Sequence, residues 1–289
     1  MLVELAIGDA YGAGFEYADV ALIHRHNNLS TFVKHPRHKI IPGSYTDDTQ
    51  MSIAIAEAIL SGDSWAPEML AQKFVDAFKR DPREGYARGF FLFLQNVEDG
   101  TQFLKEIEPT SDKSGAAMRA APIGIYPRIS MVIKYSAIQA ALTHNTPDGI
   151  NAAIASSLMT HYFLYGLGPK KDLGHFLERQ VSGQWAAPWI GKVTSKGWMS
   201  VRAAITAIGR SNCLSELLKA CIDFSGDVDT VATIALAAGS CCWEIEHDLP
   251  EHLFDGLENG TWGRDYLCSL DAKLKALWEE YKLSGVDPV

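Results

Sequence analysis

Apolar residues recur at intervals of three and four along most of this chain, and this spacing limits its fold more than any other feature. It matches the 3.6-residue turn of an α-helix, whose apolar face must be buried. No segment of four to eight residues alternates convincingly between apolar and polar residues, so we expect little or no sheet. We predict an all-α protein with helices over 52–60, 67–78, 89–97, 129–142, 151–165, 199–208, 214–224, 230–243 and 266–281.

The chain has 289 residues, which is enough to bury a large core. Its least regular segments are 17–45, 110–127 and 181–197. None of them has the proline, glycine or charge content of a flexible linker, and the sequence contains no internal repeat. We predict one domain over 1–289, a single compact orthogonal helical bundle in which the irregular segments form loops over a functional site.

Composition limits the cellular compartment and the binding partners that we expect for this chain. The formal net charge is -9, and an acidic chain is a poor general binder of nucleic acid. The five cysteines are odd in number and form no Cys-x-x-Cys pair, which favours reduced thiols. The sequence shows no signal peptide and no apolar run of membrane-spanning length. We therefore predict a cytoplasmic protein with no membrane partner.

Two acidic clusters stand directly before predicted helices. The first, TDDT at 46–49, contains Asp47 and Asp48, and Asp and Thr are favoured caps of helix N-termini. Capping alone explains one such cluster, although adjacent carboxylates repel each other and a cap needs only one. The second, GDVDT at 226–230, adds Asp227 and Asp229 after a glycine that permits a sharp turn. Two clusters of this kind indicate a shared site.

The side chains of both clusters are hard oxygen ligands. Carboxylates and hydroxyls suit Mg²⁺, Mn²⁺ or Ca²⁺, whereas zinc usually brings His or Cys. Four carboxylates could hold two adjacent divalent ions. We therefore predict a metal site at the N-termini of two helices.

Three other metal-dependent patterns fit the sequence poorly. An EF-hand loop needs further acidic positions, a glycine and a final Glu, which residues 227–232 do not provide. An all-α isoprenoid synthase would show Asp-Asp-x-x-Asp, but Met51 occupies the place of the third Asp. A His-Asp phosphohydrolase needs further His ligands dispersed along the chain, and no pattern of this kind accompanies the pair His247-Asp248. Turnover of prenyl diphosphates would test the synthase alternative.

Five motifs, in order along the chain, resemble those of the ADP-ribosylglycohydrolase family, which includes the dinitrogenase-reductase-activating glycohydrolase. GDAYGAGFE at 8–16 resembles the opening G-D-A-x-G-x-x-x-E of the family, and YTDDTQMS at 45–52 resembles its T-D-D-T-x-M signature. The remaining three are SGAAMRAAP at 114–122, the TH pair at 143–144 and GDVDT at 226–230. The resemblance spans most of the chain.

The resemblance implies an all-α enzyme with a binuclear Mg²⁺ or Mn²⁺ site. The implied metal ligands are Thr46, Asp47, Asp48, Asp227, Asp229 and Thr230. In the family these ions bind ribose hydroxyls and position water near the anomeric carbon. The implied catalytic residues are Glu16, Asp47, Asp48 and Asp229. We also expect Asp9 to be a buried hydrogen-bonding group that tunes the metal ligands.

The implied substrate-binding residues come from three segments. They are Ser114, Gly115, Ala116, Ala117, Met118, His144, Asp81 and Tyr86. Segment 114–118 offers backbone N–H groups to a diphosphate, or simply allows tight helix packing. His144 either reaches the substrate or caps a helix end. Segment 80–87 matches the family only loosely, because Ala87 stands where the family has a glycine.

Basic residues and histidines near the motifs allow two further interpretations. Arg119 is the cation nearest to segment 114–118, and it either contacts phosphate or pairs with a site carboxylate. Since basic residues are scattered, we expect backbone N–H groups to hold the diphosphate chiefly. We interpret the early histidines as part of a solvated loop; they are His24, His26, His35 and His38.

The activity implied by the resemblance is hydrolysis of the N- or O-glycosidic bond between ADP-ribose and an acceptor. ADP-ribosyl-arginine on protein is the default substrate by family analogy, while serine, a nucleic-acid end or a small ADP-ribose conjugate stay open as acceptors. The alternative from a different class is a binding or immunity-type protein that neutralises an ADP-ribosyltransferase. The predicted partners are an ADP-ribosylated protein or ADP-ribose conjugate and, in the alternative, a transferase.

Overall fold

The computed structural model describes residues 1–288. Over these residues the chain forms fifteen α-helices and two short 3₁₀ segments, with no β-strand. The α-helices are α1 (Leu2–Ala13), α2 (Val20–His26), α3 (Asp47–Ser61), α4 (Pro67–Arg80), α5 (Arg88–Asn96), α6 (Gly100–Glu106), α7 (Gly115–Met118), α8 (Ile129–Ala141), α9 (Pro147–Leu164), α10 (Leu173–Gln180), α11 (Gly197–Arg210), α12 (Leu214–Asp223), α13 (Val228–Gly239), α14 (Glu251–Gly256) and α15 (Arg264–Leu283). The predicted all-α fold is confirmed.

All nine predicted helices are present. The sequence pattern did not predict the remaining six, of which α1 is the most deeply buried. Eleven of the twelve residues of α1 are buried. A helix that is buried on nearly all sides carries no polar stripe, so its sequence lacks the spacing that marks an amphipathic helix. Helices also occur inside two segments that we expected to be irregular, as α2 within 17–45 and α7 within 110–127.

Helices α1 and α13 share the most extensive helix contact in the described chain. Two glycines of α1 make this close approach possible. A Cβ atom at Gly8 would lie 2.7 Å from the carbonyl oxygen of Ala232, and one at Gly12 would lie 2.4 Å from Cα of Asp229. Because any side chain at Gly12 would meet backbone, glycine there brings α1 directly against the first turn of α13.

Most buried apolar side chains form one cluster that runs along the chain from Leu2 to Leu274. Helix α9 packs against α7, α8 and α11. It thereby supports residues 114–118, which we call the small-residue segment. No helix within the described residues is both long enough and apolar enough to cross a bilayer. The single domain over 1–289 stays a prediction, and its last residue, Val289, lies outside the described part.

Candidate functional site

Asp9 of α1 holds the first turn of α3 in place. Its carboxylate accepts hydrogen bonds from the N–H and hydroxyl groups of Thr46, at 2.9 and 2.7 Å, and from those of Thr49, at 3.0 and 2.6 Å. A carboxylate from a different helix therefore satisfies donors that the start of α3 would otherwise leave free. The buried hydrogen-bonding role expected for Asp9 is confirmed.

A sharp turn at 225–227 precedes α13 and sets the direction of its acidic residues. Ser225 and Gly226 both have positive φ, at 59° and 93°. A Cβ atom at Gly226 would lie 1.8 Å from the carbonyl oxygen of Val193, so no other residue fits there. The N–H of Asp227 donates to that same oxygen at 3.1 Å, while the carbonyl of Gly226 accepts from the N–H of Tyr17 at 2.7 Å. This turn therefore joins the α13 start to the segment that carries Glu16.

The carboxylates from these segments meet at one cavity. Glu16, Asp227 and Asp229 each offer a carboxylate oxygen within 4.8 Å of the other two. The same cavity is lined by three more of the predicted residues, Asp47, Asp48 and Thr230. The structure thus brings the two acidic clusters and Glu16 together, although they are separated by some 180 residues of sequence.

This cluster carries negative charge that the protein does not neutralise. None of its five carboxylates has an ion-pair partner within residues 1–288. Burial, together with repulsion between the carboxylates, raises the pKa of Asp47, Asp48 and Asp229 well above the usual range. Burial and the charges of Asp227 and Asp9 raise the pKa of Glu16 to about 7. Ionised carboxylates this close together need a cation.

The donor set fits a hard divalent cation. One carboxylate oxygen, Oδ2 of Asp48, is buried and has no hydrogen-bond partner in the described chain, although buried polar atoms are nearly always satisfied. Oxygen ligands of this type are those that Mg²⁺ and Mn²⁺ prefer. The predicted ligand Thr46 does not line the cavity; its hydroxyl donates to Asp9. Its role as a ligand stays a prediction that this geometry does not support.

The cavity has a volume of about 690 Å³, which is in the range of sites for small-molecule ligands. Three kinds of side chain line it. The carboxylates form one part, which we call the carboxylate end. The second part, the donor end, consists of Ser114, Gly115, Arg119, Thr143 and His144. The third part is apolar and includes Phe90, Phe93, Ile107 and Met118.

The small-residue segment meets the cavity through only part of its predicted length. Ser114, Gly115 and Met118 line the cavity, whereas Ala116 and Ala117 are fully buried beneath it. The Ala117 and Met118 N–H groups donate to the carbonyl of Ser114, at 2.8 and 3.0 Å, within the short helix itself. Any backbone cradle at this segment is therefore limited to the N–H groups of Gly115 and Ala116. The expected packing role is observed for the two alanines, and the contact of this segment with a diphosphate stays a prediction.

His144 lines the cavity and does not lie on the exposed surface. Its side chain is buried, and Nδ1 lies 2.7 Å from Oγ1 of Thr143. Burial, helped by the charges of Arg119 and Lys113, lowers the pKa of His144 to about 3. The ring is therefore neutral at physiological pH.

Arg119 does not pair with a site carboxylate. Its guanidinium is buried, donates to Gln139 and Thr143, and lies over the ring of Phe74 at 4.5 Å. Burial lowers the pKa of Arg119 to about 9, so it stays charged at neutral pH. Arg119 forms no ion pair within residues 1–288, although the charge of Asp47 acts to raise its pKa, so pairing with a carboxylate stays a prediction that its hydrogen bonds do not support.

Asp81 and Tyr86 lie outside the cavity lining. The carboxylate of Asp81 accepts from Arg83 at 2.5 Å, and the hydroxyl of Tyr86 donates to Gln50 at 2.7 Å. Their contact with substrate stays a prediction, and their observed partners give it no support. Between them, Gly85 has a φ of 105°, and a Cβ atom there would lie 2.1 Å from Oδ1 of Asp47. The backbone at Gly85 therefore covers Asp47, one of the predicted metal ligands.

Sequence reasoning missed several residues that build the site. His35 is buried, and its Nε2 lies 2.8 Å from the carbonyl oxygen of Glu16, so its assignment to a solvated loop is wrong. Its Nδ1 accepts hydrogen bonds from the N–H groups of Arg37 and His38, which lie two and three positions further along the chain. These two bonds fold the loop around the ring. Phe90 and Phe93 carried no signal beyond that of an ordinary apolar helix face.

Comparison with known proteins identifies the family of this chain. The family model for ADP-ribosylglycohydrolase matches residues 1–284. ADP-ribosylhydrolase ARH3 of Xenopus tropicalis is 31% identical over 188 residues, which cover 61% of this chain and 53% of that protein. ADP-ribosylarginine hydrolase Tri1 of Serratia proteamaculans is 23% identical over 249 residues, 80% of this chain and 67% of that protein.

The chain spans about half the length of the first ARH3 relatives that it matches. A solved structure titled ADP-ribosylglycohydrolase-related protein complex superimposes with a TM-score of 0.72 at 20% identity and covers 94% of both chains, which supports the fold. The family match extends over nearly all of the sequence, and the predicted family motifs meet at one cavity. This chain belongs to the ADP-ribosylglycohydrolase family.

Proposed function

We propose that this protein hydrolyses the glycosidic bond that links ADP-ribose to an acceptor. The observation that carries the proposal is a single cavity with an unneutralised carboxylate end, a separate donor end and an apolar wall. ADP-ribose has matching parts in its ribose hydroxyls, its diphosphate and its adenine. Family membership supports the same reaction.

We propose two divalent cations, Mg²⁺ or Mn²⁺, as cofactors. Asp47, Asp48, Asp227, Asp229 and Thr230 would hold them, with Glu16 beside Asp227 and Asp229. Bound there, the cations supply positive charge that offsets the carboxylates and orients the ribose hydroxyls. Calorimetric titration with Mn²⁺ should give two ions per chain, and a single ion would correct the number.

The residues of this chain divide the remaining work. The carboxylate of Glu16 lies at the edge of the cluster, where it can accept a proton from an attacking water. Ser114 donates from Oγ to Oδ2 of Asp227 at 3.0 Å, so the donor end and the carboxylate end are mechanically joined. The rings of Phe90 and Phe93 offer an apolar face to a nucleobase and exclude water from that side.

The acceptor is proposed by analogy. The printed name of Tri1 specifies ADP-ribosylarginine, whereas that of ARH3 specifies no acceptor. We propose ADP-ribosyl-arginine on protein as the first substrate to test, with serine, nucleic-acid and small-molecule conjugates beside it. A cytoplasmic location stays a prediction from the cysteines, which are all free in the described chain.

The proposal is tested by measuring release of free ADP-ribose from a panel of these linkages, with Mg²⁺, with Mn²⁺ and with chelator. We expect cation-dependent release from at least one linkage. If no linkage is cleaved at saturating cation, hydrolysis is not the function. Binding to an ADP-ribosyltransferase that survives Asp47→Asn and Asp229→Asn would then favour the binding-protein alternative.

A further inference from the structure

The donor end contains a buried cation, Arg119, that forms no direct ion pair in the described chain, although the charge of Asp47 acts on it. Nε of Arg119 donates to Oε1 of Gln139 at 2.7 Å, and Nη2 donates to the Gln139 carbonyl at 3.1 Å and to Oγ1 of Thr143 at 2.9 Å. Nε2 of Gln139 in turn donates to the carbonyl of Ala116 at 2.9 Å. The guanidinium is thus fixed in position by neutral acceptors on α8 and the turn that follows it.

These contacts determine the direction of the next hydrogen bond. A guanidinium can only donate, so Oγ1 of Thr143 accepts from Arg119. Among residues 1–288 the one acceptor within reach of the Thr143 hydroxyl proton is Nδ1 of His144, at 2.7 Å, and donation to it leaves neither group unpaired. Because Nδ1 accepts, a neutral imidazole must carry its proton on Nε2.

The Nε2 atom of His144 faces the cavity. A Cβ atom at Gly115 would lie 3.0 Å from Cε1 and 3.2 Å from Nε2, so this edge of the ring lies against the small-residue segment. No described residue accepts a hydrogen bond from Nε2, although the side chain is only 7% exposed. An unpaired donor in such a position is available to a ligand.

We propose that Arg119 and Thr143 are positioning residues that hold His144 with its proton on Nε2, so that the ring donates into the cavity beside Gly115. The recognised group is an anionic oxygen, which a neutral N–H can bind without competing for protons. That this oxygen belongs to the diphosphate of ADP-ribose rests on the proposed function. The tautomer itself does not, because it is inferred from contacts within the protein.

The tautomer is tested by nitrogen NMR of the ligand-free protein labelled in histidine, with Thr143→Val as the variant and Thr143→Ser as the matched control. Wild type and Thr143→Ser should show the Nε2–H form of His144, whereas Thr143→Val should show a mixture or the Nδ1–H form. Circular dichroism checks that the variants are folded. An Nδ1–H form in wild type, or an unchanged Nε2–H form in folded Thr143→Val, would overturn the proposal.

The ligand is tested by calorimetry with ADP-ribose on the same three proteins. Thr143→Val should bind about tenfold more weakly, as expected for one misdirected hydrogen bond, while Thr143→Ser stays near wild type. A merely structural role would weaken both variants or neither, and would leave the NMR spectrum of His144 unchanged. If wild type binds no ADP-ribose while the tautomer is as expected, the proposed function fails and the positioning role stands.

Discussion

The two ends of the cavity have opposite charge, yet the protein does not let them neutralise each other. At the carboxylate end, five acidic side chains form no ion pair with any residue in 1–288. At the donor end, the buried Arg119 is satisfied by neutral oxygens of Gln139 and Thr143. A chain selected for stability alone would gain by pairing such charges or by removing them. Both ends are therefore built for what binds between them.

The ends also differ in how they are constructed. The carboxylate end depends on backbone: glycines at 12, 85 and 226 let helix starts and a turn approach until their carboxylates share one space. The donor end depends on side chains that orient one another, from Gln139 through Arg119 and Thr143 to His144. Substitutions should therefore affect the two ends by different mechanisms.

The largest effect is expected from removing one charge at the carboxylate end. Asp47→Asn or Asp229→Asn keeps the size of the side chain but removes a charge that the proposed cations would need. We expect turnover to fall on the order of a thousandfold, since a catalytic metal ligand is worth several kcal/mol of transition-state stabilisation. ADP-ribose release at saturating Mn²⁺ measures this.

Asp148→Asn is the matched control, because Asp148 is an exposed aspartate in the first turn of α9 and lies outside the cavity. It should release ADP-ribose at the wild-type rate. Wild-type rates in the two site variants would end the metal assignment. A collapse of thermal stability in them, with cation binding intact, would return Asp47 and Asp229 to the role of helix caps.

The donor end is probed by comparing Gly115→Val with Arg119→Lys. Valine at 115 would press on Cε1 of His144, which lies 3.0 Å from the Cβ position, and would cover the backbone N–H groups of the segment. Arg119→Lys keeps the charge. We expect Gly115→Val to weaken ADP-ribose binding about tenfold more than Arg119→Lys does, by calorimetry. The reverse order would mean that side chains, either Arg119 itself or the His144 that it positions, hold the diphosphate more than the backbone of the small-residue segment does.

The carboxylate end was predictable from sequence, and the donor end only in part. Each acidic cluster is contiguous and stands at a helix start, so short motifs contain nearly all of its residues. Gln139, in contrast, is a polar residue within the apolar helix α8, 20 positions from Arg119, and nothing in the local pattern connects the two. Contacts of this kind depend on how α7 and α8 pack, which spacing along one helix does not encode.

The same limit explains the other errors. The motif at 8–16 drew attention through its acidic residues, but two of its three glycines, Gly8 and Gly12, matter as contact points of α1 with α13. His35 has polar neighbours in sequence and looks solvated, yet its ring is buried by hydrogen bonds to the backbone of distant and adjacent residues. Burial that arises from loop conformation leaves no periodic signal.

The dependence of the carboxylate end on backbone packing is tested with Gly12→Ala. The added methyl group would lie 2.4 Å from Cα of Asp229, so α1 and α13 must move apart. We expect a loss of about 1–3 kcal/mol in the free energy of unfolding, together with lower turnover, because overpacking displaces Asp229. Urea unfolding followed by circular dichroism measures the first quantity.

Gly209→Ala provides the matched control, since Gly209 lies in α11 with no atom within 4 Å of its Cβ position. That variant should be as stable as wild type or more stable by up to about 1 kcal/mol, because alanine is the better helix former. Equal stability of Gly12→Ala and wild type would show that the two helices can separate freely, and that backbone contact does not set the position of Asp229.

The last expected effect concerns the neutral state of the donor end. Burial lowers the pKa of His144 to about 3, against about 6.5 in an unfolded chain. Below pH 6.5 the unfolded chain therefore binds a proton that the folded protein does not, and His144 reduces the free energy of unfolding as the pH falls. Between pH 7 and pH 5 this amounts to about 2 kcal/mol.

Other buried groups complicate a direct reading of the pH profile. The carboxylates have raised pKa values, so they take up protons in the folded state and act in the opposite direction as the pH falls. The prediction therefore concerns a difference. Between pH 7 and pH 5, the free energy of unfolding of His144→Gln should fall by about 2 kcal/mol less than that of wild type. His24→Gln, which changes an exposed histidine, should follow wild type. Equal losses of unfolding free energy in all three proteins would mean that folded His144 takes up a proton. The donor end would then gain a positive charge beside Arg119, and it would lose the neutral N–H donor that distinguishes it from the carboxylate end.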